Sequence, residues 1–470
     1  MKEARDNIKK FWAVSGLALF LSGCAVGPNF KRPAVDSSTR FRDDVSQSTN
    51  SIADVEWWKV YQDPVLAGLI QEALTNNYDL KIAAARVEEA RAIETQVRSQ
   101  FVPNVDYSGD VSRGKNDLFG NFYPNSGMTT SSAVVGLNAF WEVDFWGRIR
   151  RQSEAAKARM LASNEGKKSV RLSLMSDVAA NYFELQELDR ELEIDAATTN
   201  SFGDSLTIFK RRSEGGKGND LETARAMAAL ADANSVAPRI QDEIAKTENA
   251  LCVLLGRVPG PIKRAKFGET QQLPPEVPAG LPAQLLERRP DIKQAEQLVR
   301  AANADVGESI AEFFPKIGLT ALFGRISPEL SAFSAGSSTA WGMAADATGP
   351  LFEGGKLVGQ YRQTKAAKRE SIFAYRQSVL IALHDVSDAL SSNQRLVDIR
   401  NQQSIEVESL QRAVKLSSER FVAGKANYYE VLEAQQQLFP AQLNLARTER
   451  DQMLSVVSLY KSLGGGWQDK

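Results

Sequence analysis

Most of this chain repeats its apolar positions every three or four residues, but four short runs alternate with a period of two instead. In Phe101–Ser112, Val105, Tyr107, Gly109 and Val111 fall on one side, and Asn104, Asp106, Ser108 and Asp110 on the other. That is a strand with one apolar and one polar face. Phe313–Gly324 is a second such run. A loop follows each (Asn116–Gly127 and Ser327–Ser338), and then a returning run. In the first return, Val135, Leu137, Ala139, Trp141, Val143 and Phe145 oppose Gly136, Asn138, Phe140, Glu142 and Asp144. In the second, Trp341, Met343, Ala345 and Ala347 oppose Gly342, Ala344, Asp346 and Thr348. The pattern predicts two hairpins, with strands near 103–113, 133–145, 315–325 and 340–349. Aromatic residues gather near the strand ends, as they do at a membrane interface.

Helical periodicity of unusual length follows each hairpin. No proline occurs from Gly147 to Ala237 or from Leu351 to Phe439, and Ile372, Tyr375, Val379, Ala382, Val386 and Ala389, then Val407, Leu410 and Val414, recur at heptad spacing. A helix from Gly147 to about Arg212 is about 100 Å long at the α-helical rise. Flanking helices near Asn77–Gln100 and Asn219–Leu255 come to about 36 and 55 Å by the same rise, so they are expected to stack end to end beside it. The hairpin then lies at one end of the long helix, and the turn "EGGKGN", with its partner "VAGKAN", at the other. Pro238 and Pro440 are each expected to kink or locally break a helix.

The two sets of elements are copies of one unit. Asp79 and Asp291 are 212 positions apart, as are Pro103 and Pro315. Beyond the strands the spacing becomes 208: Gly147-Arg148 matches Gly355-Lys356, Arg212 matches Arg420, Gly216-Lys217 matches Gly424-Lys425, and Gly256 matches Gly464. The change of four falls between the strands, where loop length varies at little thermodynamic cost. The expected organisation is a leader at 1–23, an N-terminal segment at 24–60, a first repeat at 61–260, a linker at 261–288 and a second repeat at 289–470.

Composition narrows the chemistry. With 57 basic and 58 acidic residues among 470, nothing points to nucleic acid. One histidine (His384) and two cysteines (Cys24 and Cys252) build neither a zinc cluster nor a disulfide framework within one chain. Cys252, in "NALCVLLG", reads as a small buried hydrophobe. At the N-terminus, Lys9 and Lys10 precede the short apolar run "FWAVSGLALF" and then "LSGC", an export signal. Leu21-Ser22-Gly23-Cys24 resembles a bacterial lipobox, which makes Cys24 the lipidated first residue of the mature chain, and two or more acyl chains give lasting attachment. No other cofactor is expected.

Four strands do not close a barrel, and an open edge is not tolerated in lipid, so other subunits must complete the sheet. Two chains give eight strands and an interior filled by side chains; three give twelve and room for a lumen lined by the Asn, Asp, Ser and Thr face. The sum is a lipid-anchored duct from the outer membrane into the periplasm.

The lipobox with "CAVGPNFKRP", Trp57-Trp58, the paired "FVP" and "FFP" strands, "WEVDFWGRIRR", "GPLFEGGK", "RFVAGKANYYEVLEAQQQLF" and "LYKSLGGGW" together resemble the lipoprotein branch of the TolC/OprM-like outer-membrane efflux protein family. The resemblance covers essentially the whole mature chain. It implies a membrane β-barrel joined to a helical coiled-coil barrel: a homotrimer with one twelve-stranded barrel in the outer membrane and a twelve-helix periplasmic tunnel. It also implies docking to a periplasmic adaptor and an inner-membrane pump, often of the resistance-nodulation-division type, and a role in multidrug efflux. The family's closed gate falls on "NYYEVLEAQ", at Tyr429 and Glu433. Glu433 departs from the usual aspartate and corresponds to Arg225 of the first copy. The two either pair between adjacent helices or stand as two solvated charges, worth about 0–1 kcal/mol if paired. The turns at Gly216-Lys217 and Gly424-Lys425 are the expected adaptor contacts, although glycine there is also what ends a helix.

Remaining features carry little. Neither glycine-rich turn satisfies the phosphate-loop pattern. His384, on a long helix beside Asp385, reads as structural, and acid pairs such as Glu88-Glu89 read as a solvated face. The same duct could serve a type I protein-secretion system, a lipid-anchored spacer without a pore has no use for two hairpins of this kind, and an enzyme is the least supported class.

Overall fold

The computed structural model describes residues 25–35, 61–115, 129–216, 218–266, 282–327, 333 and 338–465. Among the described residues thirteen elements follow one another, and the second set repeats the first. Helix α1 (Pro64–Asn76) and α2 (Tyr78–Ser99) lead into strands β1 (Asn104–Lys115) and β2 (Thr129–Val143), then α3 (Arg148–Glu214), α4 (Asp220–Asn234) and α5 (Val236–Leu254). After the short α6 (Pro282–Arg288) come α7 (Pro290–Ala311), β3 (Lys316–Ser327), β4 (Ser338–Thr348), α8 (Lys356–Val422) and α9 (Tyr428–Ser462).

The internal repeat holds at the level of single residues. Helices α2 and α7 have 22 residues each, and α3 and α8 have 67 each. Asn104 pairs with Phe140 and Lys316 with Thr348, so the outgoing strands differ by 212 and the returning strands by 208. The four-residue difference therefore belongs to the hairpin loops. Gly216 and Gly424, each with φ +69°, end the two long helices, and Gly256 and Gly464, each with φ +68°, end α5 and α9. These are left-handed caps that glycine adopts without a Cβ penalty.

The prolines behave differently from one another. The first copy breaks at Ser235, which separates α4 from α5 and leaves Pro238 in the first turn of α5. No intrahelical donor is needed in that turn. Helix α9 continues through Pro440 without a break, against the expectation of an interruption there.

Contacts divide the chain into two compact units, each drawing on both repeats. One contains 86–163 and 294–375, with residues 25–34. At its centre is a four-stranded antiparallel sheet in the order β1-β2-β3-β4, and β1 and β4 are left as open edges. The residues of "WEVDFWGRIRR" make the passage from β2 to α3. Asp144 accepts the backbone N–H groups of Ile149 (3.0 Å) and Arg150 (2.9 Å), capping the helix, while Glu142 and Arg148 pair at 2.7 Å. The Trp146 ring stacks on Phe314 with centroids 4.6 Å apart, and its Nε1 donates to the Pro315 carbonyl.

The other unit contains 164–293 and 376–470 and holds the larger core. Tyr61, Leu66, Ile70, Met175, Tyr182, Phe183, Leu251, Cys252, Val456 and Tyr460 are buried together there. Asp63 caps α1 and accepts the Tyr182 hydroxyl at 2.7 Å. The Cys252 thiol donates to the Gly260 carbonyl, a buried and satisfied position. Where α5 ends, α2 begins: the Asn77 side chain donates to the Leu254 carbonyl (2.9 Å). In the second copy Arg289 donates to the Ser462 carbonyl (3.0 Å). The helices of each repeat meet end to end through the same pair of positions.

Candidate functional site

The sheet carries its chemistry on two unlike faces. Val105 pairs with Ala139, Ala139 with Ala321 and Ala321 with Met343, while Asp106 pairs with Asn138, so each face is continuous across the strands. Apolar side chains on the first face lie open in the single chain, Tyr107 at 89% and Trp341 at 73% exposure. On the second face Asn138 donates to the Ser108 hydroxyl (2.7 Å), Asn104 to Asp106 (2.9 Å) and Thr348 to Asp346 (3.1 Å). Register also places Phe140, Leu322 and Ile326 on this second face, which is less uniformly polar than β1 alone indicates.

The N-terminal segment is held at the foot of this sheet. Cys24 lies outside the described residues, but between Val26 and Arg32 the chain is fixed by backbone and side-chain contacts. Val26 N–H donates to the Trp146 carbonyl (3.0 Å). The buried Arg151 guanidinium donates to the carbonyls of Val26 and Gly27 and to the Asn29 side chain. Arg32 pairs with Glu296 at 2.8 Å, and Asn303 donates to the Pro28 carbonyl.

At the helical turns, Gly424 N–H donates to the Phe421 carbonyl and Lys425 N–H to the Arg420 carbonyl, which closes the end of α8; Gly216 N–H likewise donates to Ser213. Lys425 is exposed, and Lys217 lies outside the described residues. Tyr429, Glu433 and Arg225 are all exposed, and among the described residues no ion pair joins Arg225 to Glu433 within one chain. Beside them is an aromatic knot that the sequence reading missed. Tyr428 is 4% exposed where Tyr429 is 58%. The Tyr428 ring lies 4.0 Å from Phe209 and 5.9 Å from Phe421, and the Arg212 guanidinium sits over Phe421. Burial pushes the Tyr428 hydroxyl pKa upward. The matched Arg212 and Arg420 were the available signal: one covers this knot, and the other approaches Glu430 at 3.8 Å.

A second missed feature is a buried acidic seam between α3 and α9. Glu187 and Glu191 lie one turn apart; Arg447 contacts Glu191 at 2.7 Å and Arg450 contacts Glu187 at 3.2 Å. Burial first, then the neighbouring Glu191, pushes the Glu187 pKa up to about 8, against the opposing pull of Arg450 and Arg447. Asp195, one further turn along, is buried with Oδ1 lacking a donor among the described residues, and burial raises its pKa too. His384 is exposed, 3.2 Å from Asp388 and 3.5 Å from Asp385, at the edge of a cleft of about 610 Å³ that mixes Arg289 and Lys461 with three aspartates.

The sequence profile of the outer membrane efflux protein family matches residues 69–257 and again 281–465. The chain belongs to that family. Among its relatives, a toluene efflux pump outer membrane protein, TtgC of Pseudomonas putida, is 31% identical over 469 residues, covering 98% of this chain and 96% of the relative. The cation efflux system protein CusC of Escherichia coli O6:H1 is 32% identical over 456 residues, covering 96% and 98%. A crystal structure of CusC superposes with a TM-score of 0.84 at 30% identity over 94% of this chain and all of its own. The outer-membrane channel OprN gives 0.88 at 27% over 95% of this chain and all of its own. An outer membrane efflux protein needs strands rather than an apolar helix in the membrane, and among the described residues no helix is long and apolar enough to cross one.

Proposed function

We propose that this chain forms, as a homotrimer, the passive exit duct of a tripartite efflux system. It accepts toxic small molecules from a periplasmic adaptor and an inner-membrane pump and releases them outside the cell. The observation that carries this reading is the four-stranded sheet with both edges open, one face apolar and exposed and the other bearing Asp106, Asn138, Ser108 and Asp346. Such a sheet is stable in lipid only when further copies close it, and closure turns the polar face into a lumen. Names of relatives point to toluene, solvents, antibiotics and cations as cargo of those proteins. A wide passive duct takes its selectivity from its pump, and the same class of cargo is proposed here.

Three finer assignments belong to this reading. Cys24 carries the lipid, supported by the anchoring of residues 26–32 at the foot of the sheet. The periplasmic gate is formed by Tyr429, Glu433 and Arg225, whose exposure in one chain leaves them available to other copies. The adaptor meets the turns at Gly216-Lys217 and Gly424-Lys425. The decisive experiment is accumulation of a fluorescent efflux dye in a strain lacking the gene, with wild type and Cys24→Ser restored. Higher accumulation reversed by the wild-type gene is expected, with partial reversal by Cys24→Ser. Unchanged accumulation, together with a lost secreted protein, would transfer the duct to a secretion system.

A further inference from the structure

On the mostly apolar, lipid-facing side of the sheet stand two arginines, Arg113 and Arg325, whose height is fixed by strand register. Tyr107 pairs with Leu137, Leu137 with Phe323 and Phe323 with Trp341, giving one row that contains three aromatic rings. The next row on the same face, two residues toward the hairpin loops, is Gly109, Val135, Arg325 and Thr339. Two rows beyond that, Arg113 pairs with Ser131. Both arginines are exposed, and neither has an ion pair among the described residues. No described carboxylate shares their face, because register places Asp106, Asp110, Glu142 and Asp346 on the other.

The spacing matches a bilayer boundary. Phe145, beside the Trp146–Phe314 stack, marks the periplasmic aromatic level. From the end of β2 at Val143, beside that level, to Val135, the cross-strand partner of Arg325, eight residues at about 3.3 Å each and a strand tilt near 40° give roughly 20 Å along the membrane normal. That brings Arg325 to the outer part of the apolar band of an outer-membrane barrel, about 25 Å tall, with the row of aromatic rings one step further in. An arginine at the midplane of such a band is strongly destabilising, whereas one at its edge costs close to nothing. Arg325 thus stands near the outer edge of the band, within reach of the headgroups, and Arg113, four residues further along the strand, in the headgroup layer.

We propose that Arg113 and Arg325 form a binding surface for phosphate groups of outer-leaflet lipid headgroups. The planar guanidinium presents two parallel N–H donors that match a phosphate, while Trp341, Phe323 and Val111 offer adjoining apolar surface for an acyl chain. This inference rests on the membrane orientation given above.

The test is native mass spectrometry of the purified full-length protein released from detergent. It is offered bisphosphorylated lipid A, its dephosphorylated counterpart, or inorganic phosphate, with single-channel conductance recorded on the same preparations. Wild type is expected to retain phosphorylated lipid through delipidating washes, and to retain the dephosphorylated form and inorganic phosphate at least roughly tenfold less. Arg113→Ser with Arg325→Ser should lose that preference while conductance stays at the wild-type value. Should the double variant fail to assemble, Arg113→Lys with Arg325→Lys keeps both charges and should retain a reduced preference. Equal retention of phosphorylated and dephosphorylated lipid by wild type, or undiminished preference in a conducting double-serine variant, overturns the proposal. Absence of any conductance in wild type would instead count against the duct itself.

Discussion

Glu187 and Glu191 place two carboxyl groups one turn apart inside the helical part. Both are buried, and two arginines reach them from α9. A carboxyl with a raised pKa in the folded state stabilises the fold fully below its unfolded pKa, near 4.5, and that contribution is lost as pH rises through about 8. The thermal midpoint of the purified protein should therefore fall across that window. Glu187→Gln, which retains hydrogen bonding and leaves Glu191 for Arg447, should flatten the fall. Scanning calorimetry at several pH values checks this, and a variant profile lying on the wild-type one would remove Glu187 as its source. At the turn, Glu433→Gln tests the gate: a higher closed-state conductance and greater vancomycin entry are expected, and unchanged values would discard its role. The acid pair was not legible in the sequence. Acids close together on a helix usually mark a solvated face, as the adjacent Glu88-Glu89 do, and the partners of this pair lie more than 250 positions away. Tyr428 hides for a similar reason, since adjacent tyrosines on a helix point to different sides and only packing tells which is buried.

Among the elements, the helix ends were the most legible part of the fold, because a left-handed cap leaves glycine as its trace. The φ values of +69° at Gly216 and Gly424 and +68° at Gly256 and Gly464 account for the glycines matched at a spacing of 208. Their surroundings differ, and so should their mutants. A Cβ on Gly424 meets nothing within 4 Å, whereas on Gly464 it falls 2.9 Å from the Arg289 backbone and on Gly256 2.5 Å from the Asn76 carbonyl oxygen. Gly424→Ala should cost only the left-handed penalty, about 1–2 kcal/mol. Gly464→Ala and Gly256→Ala should cost more, since they also separate the junctions at which α9 meets α7 and α5 meets α2. Thermal midpoints of the three variants should show that order, and equal losses would mean that the junctions yield freely. The prolines were less legible. Pro238 sits where a helix has no use for its N–H, and Pro440 replaces one hydrogen bond within 35 residues of otherwise well-packed helix.

For the whole molecule, the sheet dictates assembly. With four antiparallel strands per chain, the direction at β4 is opposite to that at β1, so β4 of one copy continues antiparallel into β1 of the next for any number of copies. Alternation along single strands was readable without a structure. Closure was not, because the number of copies depends on how each β4 meets its neighbour, and no periodicity in one chain encodes that contact. The free edges make it measurable. Ser108 on β1 and Ala340, Gly342 and Ala344 on β4 all lie on the polar face. Ser108→Cys, combined in turn with Ala340→Cys, Gly342→Cys or Ala344→Cys in a Cys24→Ser background, scans the neighbour's register for a disulfide; Cys252 is buried and leaves the oxidation unperturbed. One combination should cross-link in membranes on mild oxidation, and denaturing gels should show monomer, dimer and trimer bands and nothing larger. A ladder that ends at dimer would mean eight strands and an interior filled by side chains, leaving no lumen for cargo. A ladder extending past trimer would mean that the edges template open association, the hazard that closure of the sheet removes.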